Sequence, residues 1–227
     1  MALHRVSRVS VVTNALTEAL GSAIDEAQRV GWGSLSGSIR NIGQRADVLG
    51  LAVMSRPAGP AIEFLRPTLT ANAGRRSLSA RHGLGAFPLH SDCAHWRRPP
   101  DFVLIQCASG TSTTPTLILP LVKLPAGLES AFRQGMFLVG YGRRAFYAPA
   151  MSDGGLRFDE GCMRPLDGQA LRVTEYLRAT SRDAVEFHWT NEDTVLVMDN
   201  RRALHGRAPV HDAGDRRLAR LYLGVAA

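Results

Sequence analysis

Lysine is almost missing from this chain. Lys123 is the one lysine among 27 basic residues, so the net charge of +7 rests on arginine. Arginine in excess suits phosphate and nucleic-acid recognition, and it also follows from a GC-rich coding bias. The arginines stand as scattered pairs (Arg75-Arg76, Arg97-Arg98, Arg143-Arg144, Arg201-Arg202, Arg216-Arg217) and not as one block. That pattern speaks against a continuous nucleic-acid footprint and leaves small anionic molecules as partners for some pairs. Cysteine is scarce too. Cys93, Cys107 and Cys162 are odd in number and widely spaced, which excludes a disulfide framework and a structural zinc site. Reduced thiols in a cytoplasm fit best. No apolar run approaches the roughly 20 residues of a membrane span. The opening residues Met1 to Arg5 carry no apolar core of signal-peptide type. The expectation is a soluble, cytoplasmic protein with no membrane partner.

Apolar residues make up 45% of the 227-residue chain, enough for one large folded domain spanning 1–227. Helical spacing with a cap at Thr13 or Asn14 predicts a helix over 13–30. The Gly- and Ser-rich stretch 31–38 reads as a loop, 39–49 as a second helix and 51–54 as a short strand, so residues 1–60 read as mainly helical. From 61 onward, strands are expected at 102–108, 116–121, 136–139, 145–148, 185–189, 194–199 and 217–225, with an inserted helix near 168–180. The stretch 65–80 reads as irregular, and the glycine-rich, acidic stretch 152–161 as a mobile loop. There is no βαβ alternation and no internal repeat. The profile is mainly β with flanking helices: an antiparallel barrel or jelly roll.

The chemistry gathers on His90-Ser91-Asp92. On a strand, residues two apart point the same way, so His90 and Asp92 can form two-thirds of a metal site. A distant histidine in a second strand must complete it, and His205 is the natural candidate. Two histidines and one carboxylate on one side of a metal leave the other side open, which suits non-haem Fe(II) and O2 chemistry. Arg216 lies eleven positions past His205. From the next strand it can reach back and offer a planar fork to a dicarboxylate, and Thr116 can add a neutral hydrogen bond.

The stretches Phe87-Pro88-Leu89-His90-Ser91-Asp92, Thr116-Leu117, Asp199 to Arg207 with its Leu204-His205-Gly206-Arg207 ending, and Asp215-Arg216-Arg217-Leu218-Ala219-Arg220 together resemble the Fe(II)/2-oxoglutarate-dependent oxygenases of the taurine dioxygenase superfamily. In wording they are nearest its clavaminate-synthase-like branch, and the resemblance covers roughly residues 60–225. It implies a double-stranded β-helix with Fe(II) held by His90, Asp92 and His205. It implies 2-oxoglutarate as co-substrate, with its far carboxylate on Arg216 and Thr116. Arg220, four positions on, would meet an anionic group of the substrate. The activity implied is oxidation (hydroxylation, desaturation or ring chemistry) of a small amino-acid-like or natural-product substrate, coupled to conversion of 2-oxoglutarate and O2 to succinate and CO2. Relatives are longer, so the substrate lid is expected to be reduced or supplied by a partner subunit. Trp96 and the Arg97-Arg98 pair follow the iron motif where such a lid could lie, and Tyr141 to Tyr147 could line the pocket. A homo-oligomer stays open. Two further readings keep the fold: the same chemistry on nucleic acid or another anionic substrate, and an inactive jelly-roll binding protein. The second would show the loss of one ligand, and all three are present. A halogenase usually lacks the carboxylate ligand that Asp92 supplies.

Overall fold

The protein is described from a computed structural model that covers residues 3–56, 59–74, 77–108, 111–211, 214 and 216–226, with backbone alone for 3–13. Arg75-Arg76 and Asp215 lie outside the described residues.

Helix α1 (Leu3–Val30) leads into β1 (Trp32–Ser36), the short helix α2 (Ile39–Gly43) and β2 (Leu51–Met54). Strand β3 (Ile62–Leu65) and helix α3 (Ser79–His82) precede β4 (Phe87–His90), β5 (Phe102–Cys107) and β6 (Ser112–Pro120). Helix α4 (Glu129–Gln134) is followed by β7 (Met136–Val139), β8 (Phe146–Pro149), β9 (Met151–Ser152), β10 (Gly155–Leu156) and β11 (Met163–Pro165). Helix α5 (Gly168–Ala179) then gives way to β12 (Val185–Trp189), β13 (Thr194–Asp199), β14 (Ala203–Arg207) and β15 (Leu218–Val225).

Two antiparallel sheets make the jelly roll. The larger has the order β1-β13-β5-β15-β2, with β3 also on β15; the smaller has the order β12-β6-β14-β4. Strand alternation sorts their side chains into layers. Val103, Ile105, Leu196, Met198, Leu218 and Tyr222 of the large sheet meet Ile118, Trp189 and Ala203 of the small one in an inner core. The opposite set, Phe102, Leu104, Val195, Val197, Ala219, Leu221 and Leu223, packs against Leu20, Ala23, Ile24 and Ala27 of α1. The outer side of the small sheet (Leu89, Leu119, Leu204) is covered by Phe132, Val173 and Leu177 of α4 and α5. The jelly roll expected from the strand pattern is therefore the observed fold.

Several local expectations are corrected. The 31–38 stretch is not a loop: residues 32–36 form an edge strand paired to β13 from Trp32↔Met198 to Ser36↔Thr194. Glycine hid it. A Cβ on Gly33 would lie 2.5 Å from the Ala23 carbonyl, so the residue is small because α1 rests directly on the strand. The 39–49 helix is broken into α2 and a 3-10 turn at Ala46–Leu49. In the 152–161 stretch, the β9–β10 hairpin and a fully packed Phe158 replace the expected loop. Here the backbone pairs locally, and Ser91 hydroxyl and Phe158 backbone bind one another.

Gly33→Ala should force α1 off the sheet. We expect a loss of roughly 1–3 kcal/mol in chemical denaturation, the usual cost of overpacking; an unchanged midpoint would mean that α1 does not rest on β1 in this way.

Candidate metal centre

Strands β4 and β14 run antiparallel, with His90 directly opposite His205. Their imidazole centroids are 4.5 Å apart. Asp92, two residues beyond the end of β4, brings Oδ1 to 3.8 Å from His90 Nε2 and Oδ2 to 3.6 Å from His205 Nε2. One ligand atom from each residue lies within 4.8 Å of the others, and all three side chains are buried. The register of β14 is tightly set. A Cβ on Gly206 would fall 2.6 Å from the Phe87 carbonyl, so only glycine lets β14 and β4 close this far beside the histidines.

The electrostatics suit a cation. Burial, and then the neighbouring His90, push His205 down to about 3, so at neutral pH it is an uncharged ligand. Burial alone would raise Asp92, but the Arg220 guanidinium beside it holds its carboxyl below the usual range. His90 Nδ1 lies 3.0 Å from the Pro88 carbonyl. That contact fixes the tautomer with the proton on Nδ1 and leaves Nε2 for a metal. Two imidazoles and one carboxylate converging in a buried cluster fit Fe(II).

Arg216 and Thr116 come together as a pair. Arg216 is 3% exposed; it donates to Thr116 Oγ1 at 2.9 Å and to the Thr114 carbonyl. Trp189 Nε1 donates to the same hydroxyl at 3.2 Å. Thr116 sits two residues along β6 from Ile118, the residue opposite His205, so it shares the inner face with the histidine. Arg217 points the other way and is exposed.

Arg220 reaches the triad itself. It donates to both Asp92 oxygens at 3.0 and 3.1 Å and to Glu63 Oε2 at 2.5 Å. Its Nε is buried without a partner. Trp96 is half-buried, with its ring 6.2 Å from Tyr222. Arg97 is exposed and lies 5.1 Å over the Phe146 ring, so it is not brought to the triad. Tyr141 and Tyr147 line a separate groove of about 760 Å³ with Arg81, Arg164 and Arg178.

Sequence reasoning missed Glu63, which faces Arg220 across β3 and β15, because its surroundings look irregular. It also missed Tyr222. The same-face series Arg216, Leu218, Arg220, Tyr222 was a usable signal for that residue. Among the described residues, no helix is long and apolar enough to cross a membrane.

No family model matches the chain. A curated relative, the L-lysine 3-hydroxylase of Catenulispora acidiphila, is 29% identical over 160 residues, 60% of this chain and 44% of its own. The chain thus spans under half the length of that relative. A solved asparagine oxygenase in complex with Fe(II), 3-hydroxyasparagine and succinate superposes with a TM-score of 0.65 at 18% identity, covering 96% of this chain and 80% of its own. The non-heme iron oxygenase OrfP with Fe and α-ketoglutaric acid gives 0.65 at 18%, covering 95% and 80%. By fold, then, the chain is a double-stranded β-helix protein of the type these oxygenases share. The curated relative is thus a lysine hydroxylase, and the solved neighbours are oxygenases that hold Fe with succinate or α-ketoglutaric acid.

Asp92→Ala should abolish stoichiometric Fe(II) binding in anaerobic equilibrium dialysis, because two histidines alone make too weak a site. Undiminished binding would remove the carboxylate from the ligand set.

Proposed function

We propose that the chain is an Fe(II)- and 2-oxoglutarate-dependent oxygenase that oxidises a small amino acid or amino-acid-like molecule. The observation that carries this reading is the buried His90, Asp92 and His205 cluster sharing one barrel interior with two buried guanidiniums, Arg216 and Arg220. His90, Asp92 and His205 would hold the metal. Bound Fe(II) supplies the O2 activation that couples decarboxylation of 2-oxoglutarate to oxidation of a substrate C–H bond. For hydroxylation the balance is substrate, 2-oxoglutarate and O2 to hydroxylated substrate, succinate and CO2.

The protein's own groups do the holding. Arg216 presents a fork steadied by Thr116 and the Thr114 carbonyl, and it suits the far carboxylate of 2-oxoglutarate. Arg220 and Glu63 form a cross-strand ion pair at the inner wall. An amino acid carries the same two charges: its carboxylate can take Arg220 and its ammonium Glu63, replacing an internal pair by two external ones. The named relatives act on lysine and asparagine, in keeping with this substrate class. Trp96 would form an apolar side wall. The free thiols Cys93 and Cys162 accord with a reducing, cytoplasmic setting.

The test is an anaerobic titration of 2-oxoglutarate into the Fe(II) protein, followed by the visible charge-transfer band. Lysine cannot reproduce the guanidinium fork. Arg216→Lys should therefore weaken 2-oxoglutarate by about 2–5 kcal/mol, or about 30- to several-thousand-fold. Arg217→Lys should change little. If Arg217→Lys is the crippled variant, or if no band forms in the wild type, the reading fails.

Arg220→Ala should raise the KM for the amino acid far more than the dissociation constant for 2-oxoglutarate. Equal effects on both ligands would take Arg220 out of substrate recognition.

A further inference from the structure

Asp92 stands at an awkward place in the chain. Strand β4 ends at His90, and its pairing with β14 stops at His90↔His205. Two residues later the backbone needs partners that no strand supplies. One residue past Asp92, Cys93 adopts φ +56°, the one positive value at a non-glycine among the described residues. The chain therefore turns sharply where a ligand must be held still. A carboxylate on a backbone free to rotate would not stay converged with two imidazoles that are fixed by a sheet.

Asn200 fills the gap. It sits in the turn between β13 and β14, five residues before His205, and is 1% exposed. Its Oδ1 accepts the Asp92 amide N–H at 2.8 Å. Its Nδ2 donates to the Asp92 carbonyl at 3.1 Å and to the Pro100 carbonyl at 2.9 Å. One carboxamide thus grips both sides of residue 92, as a neighbouring strand would. Asn200 is itself anchored: its amide donates to the Asp101 carbonyl at 2.9 Å, and the Arg201 carbonyl accepts from Leu156 at 2.8 Å. Asn200 touches no ligand atom of the triad. Two of its three side-chain hydrogen bonds go to the backbone that carries one, and the third goes to Pro100.

Resting on the proposed function, we infer that Asn200 is a positioning residue for the metal centre, tying Asp92 to the hairpin that carries His205. Its replacement loosens the carboxylate while leaving the two histidines, which the β4–β14 register holds independently. Partners that orient metal ligands typically contribute about 10- to 100-fold in metal affinity.

The experiment is a double-mutant cycle on metal affinity. Ni(II) is the probe because it binds such donor sets more tightly than Fe(II), which keeps affinity measurable when Asp92 is lost. Asn200→Ala should weaken Ni(II) by about 10- to 100-fold in the otherwise intact chain. It should cause almost no further loss on the Asp92→Ala background, since the group it positions is already gone. Asn200→Leu, branched at Cγ as Asn is and lacking all three hydrogen bonds, should repeat the pattern while retaining a cooperative melt. An equal loss on both backgrounds means general loosening and overturns the inference. So does wild-type affinity in Asn200→Ala, or the absence of any cooperative melt in both variants, which would make Asn200 a residue of folding. A wild-type chain that binds no Ni(II) sinks the proposed function and this inference together. A wild type that binds, and loses binding in His90→Ala, with no Asn200 effect, sinks the inference alone.

Discussion

A carboxylate cannot be left alone inside a protein. Asp92 is buried between two sheets, and removing an ion from water costs several kcal/mol unless another charge meets it with good geometry. Arg220 does so with two hydrogen bonds, and Glu63 meets the other side of Arg220. Arg56, 3.2 Å from Glu63, carries the chain of charges out toward solvent. This buried series constrains the large sheet. Strand β15 and the residues that lead into it must place Arg216, Arg220 and Tyr222 inward while Ala219, Leu221 and Leu223 meet α1. A slip of one residue would exchange the two sets. It would bury an apolar row against Asp92 and drive two guanidiniums into the helix-facing core. Register in β15 is thus set from both faces at once.

The parts of this structure that were legible in the sequence are those carried by residue spacing. His90 and Asp92 two apart, a distant His205, and Arg216 four positions before Arg220 could be singled out together before any strand partner was known. Strand alternation is not what brings Asp92 to His90, however: β4 ends at His90, and Asp92 lies beyond it in a turn. The hydrophobic runs at 102–107 and 194–199 marked central strands because both faces of the large sheet are covered. What could not be read depended on tertiary contact. Strand β1 is built on glycine because a helix lies against it, so its composition resembles a loop. Glu63 gains its meaning from Arg220, 157 residues away, and nothing in its neighbours announces that pairing. Asn200 stood inside a motif already singled out, yet its role lies in the backbone of residue 92, where spacing carries no signal.

The charged groups nearest the triad also have an arithmetic that bears on the proposed activity. Asp92 and Glu63 supply two negative charges, and Arg216 and Arg220 two positive ones. His205 is held neutral at pH 7. These four charged groups sum to zero. On the proposed function, a divalent metal adds two positive charges and 2-oxoglutarate adds two negative ones, so loading both restores balance while loading either alone does not. In a poorly solvated cavity such imbalance is costly, and the two therefore favour each other's binding. An amino acid adds one charge of each sign and keeps the sum at zero, provided its side chain is neutral or finds a partner at the rim. The same arithmetic disfavours a nucleic-acid strand, whose repeated phosphates would need a run of cations leading into the barrel. Arg216 and Arg220, before and within β15, each have a partner inside the fold, and Arg97 lies over Phe146. On the proposed function, these groups suit small ligands whose charges cancel in pairs.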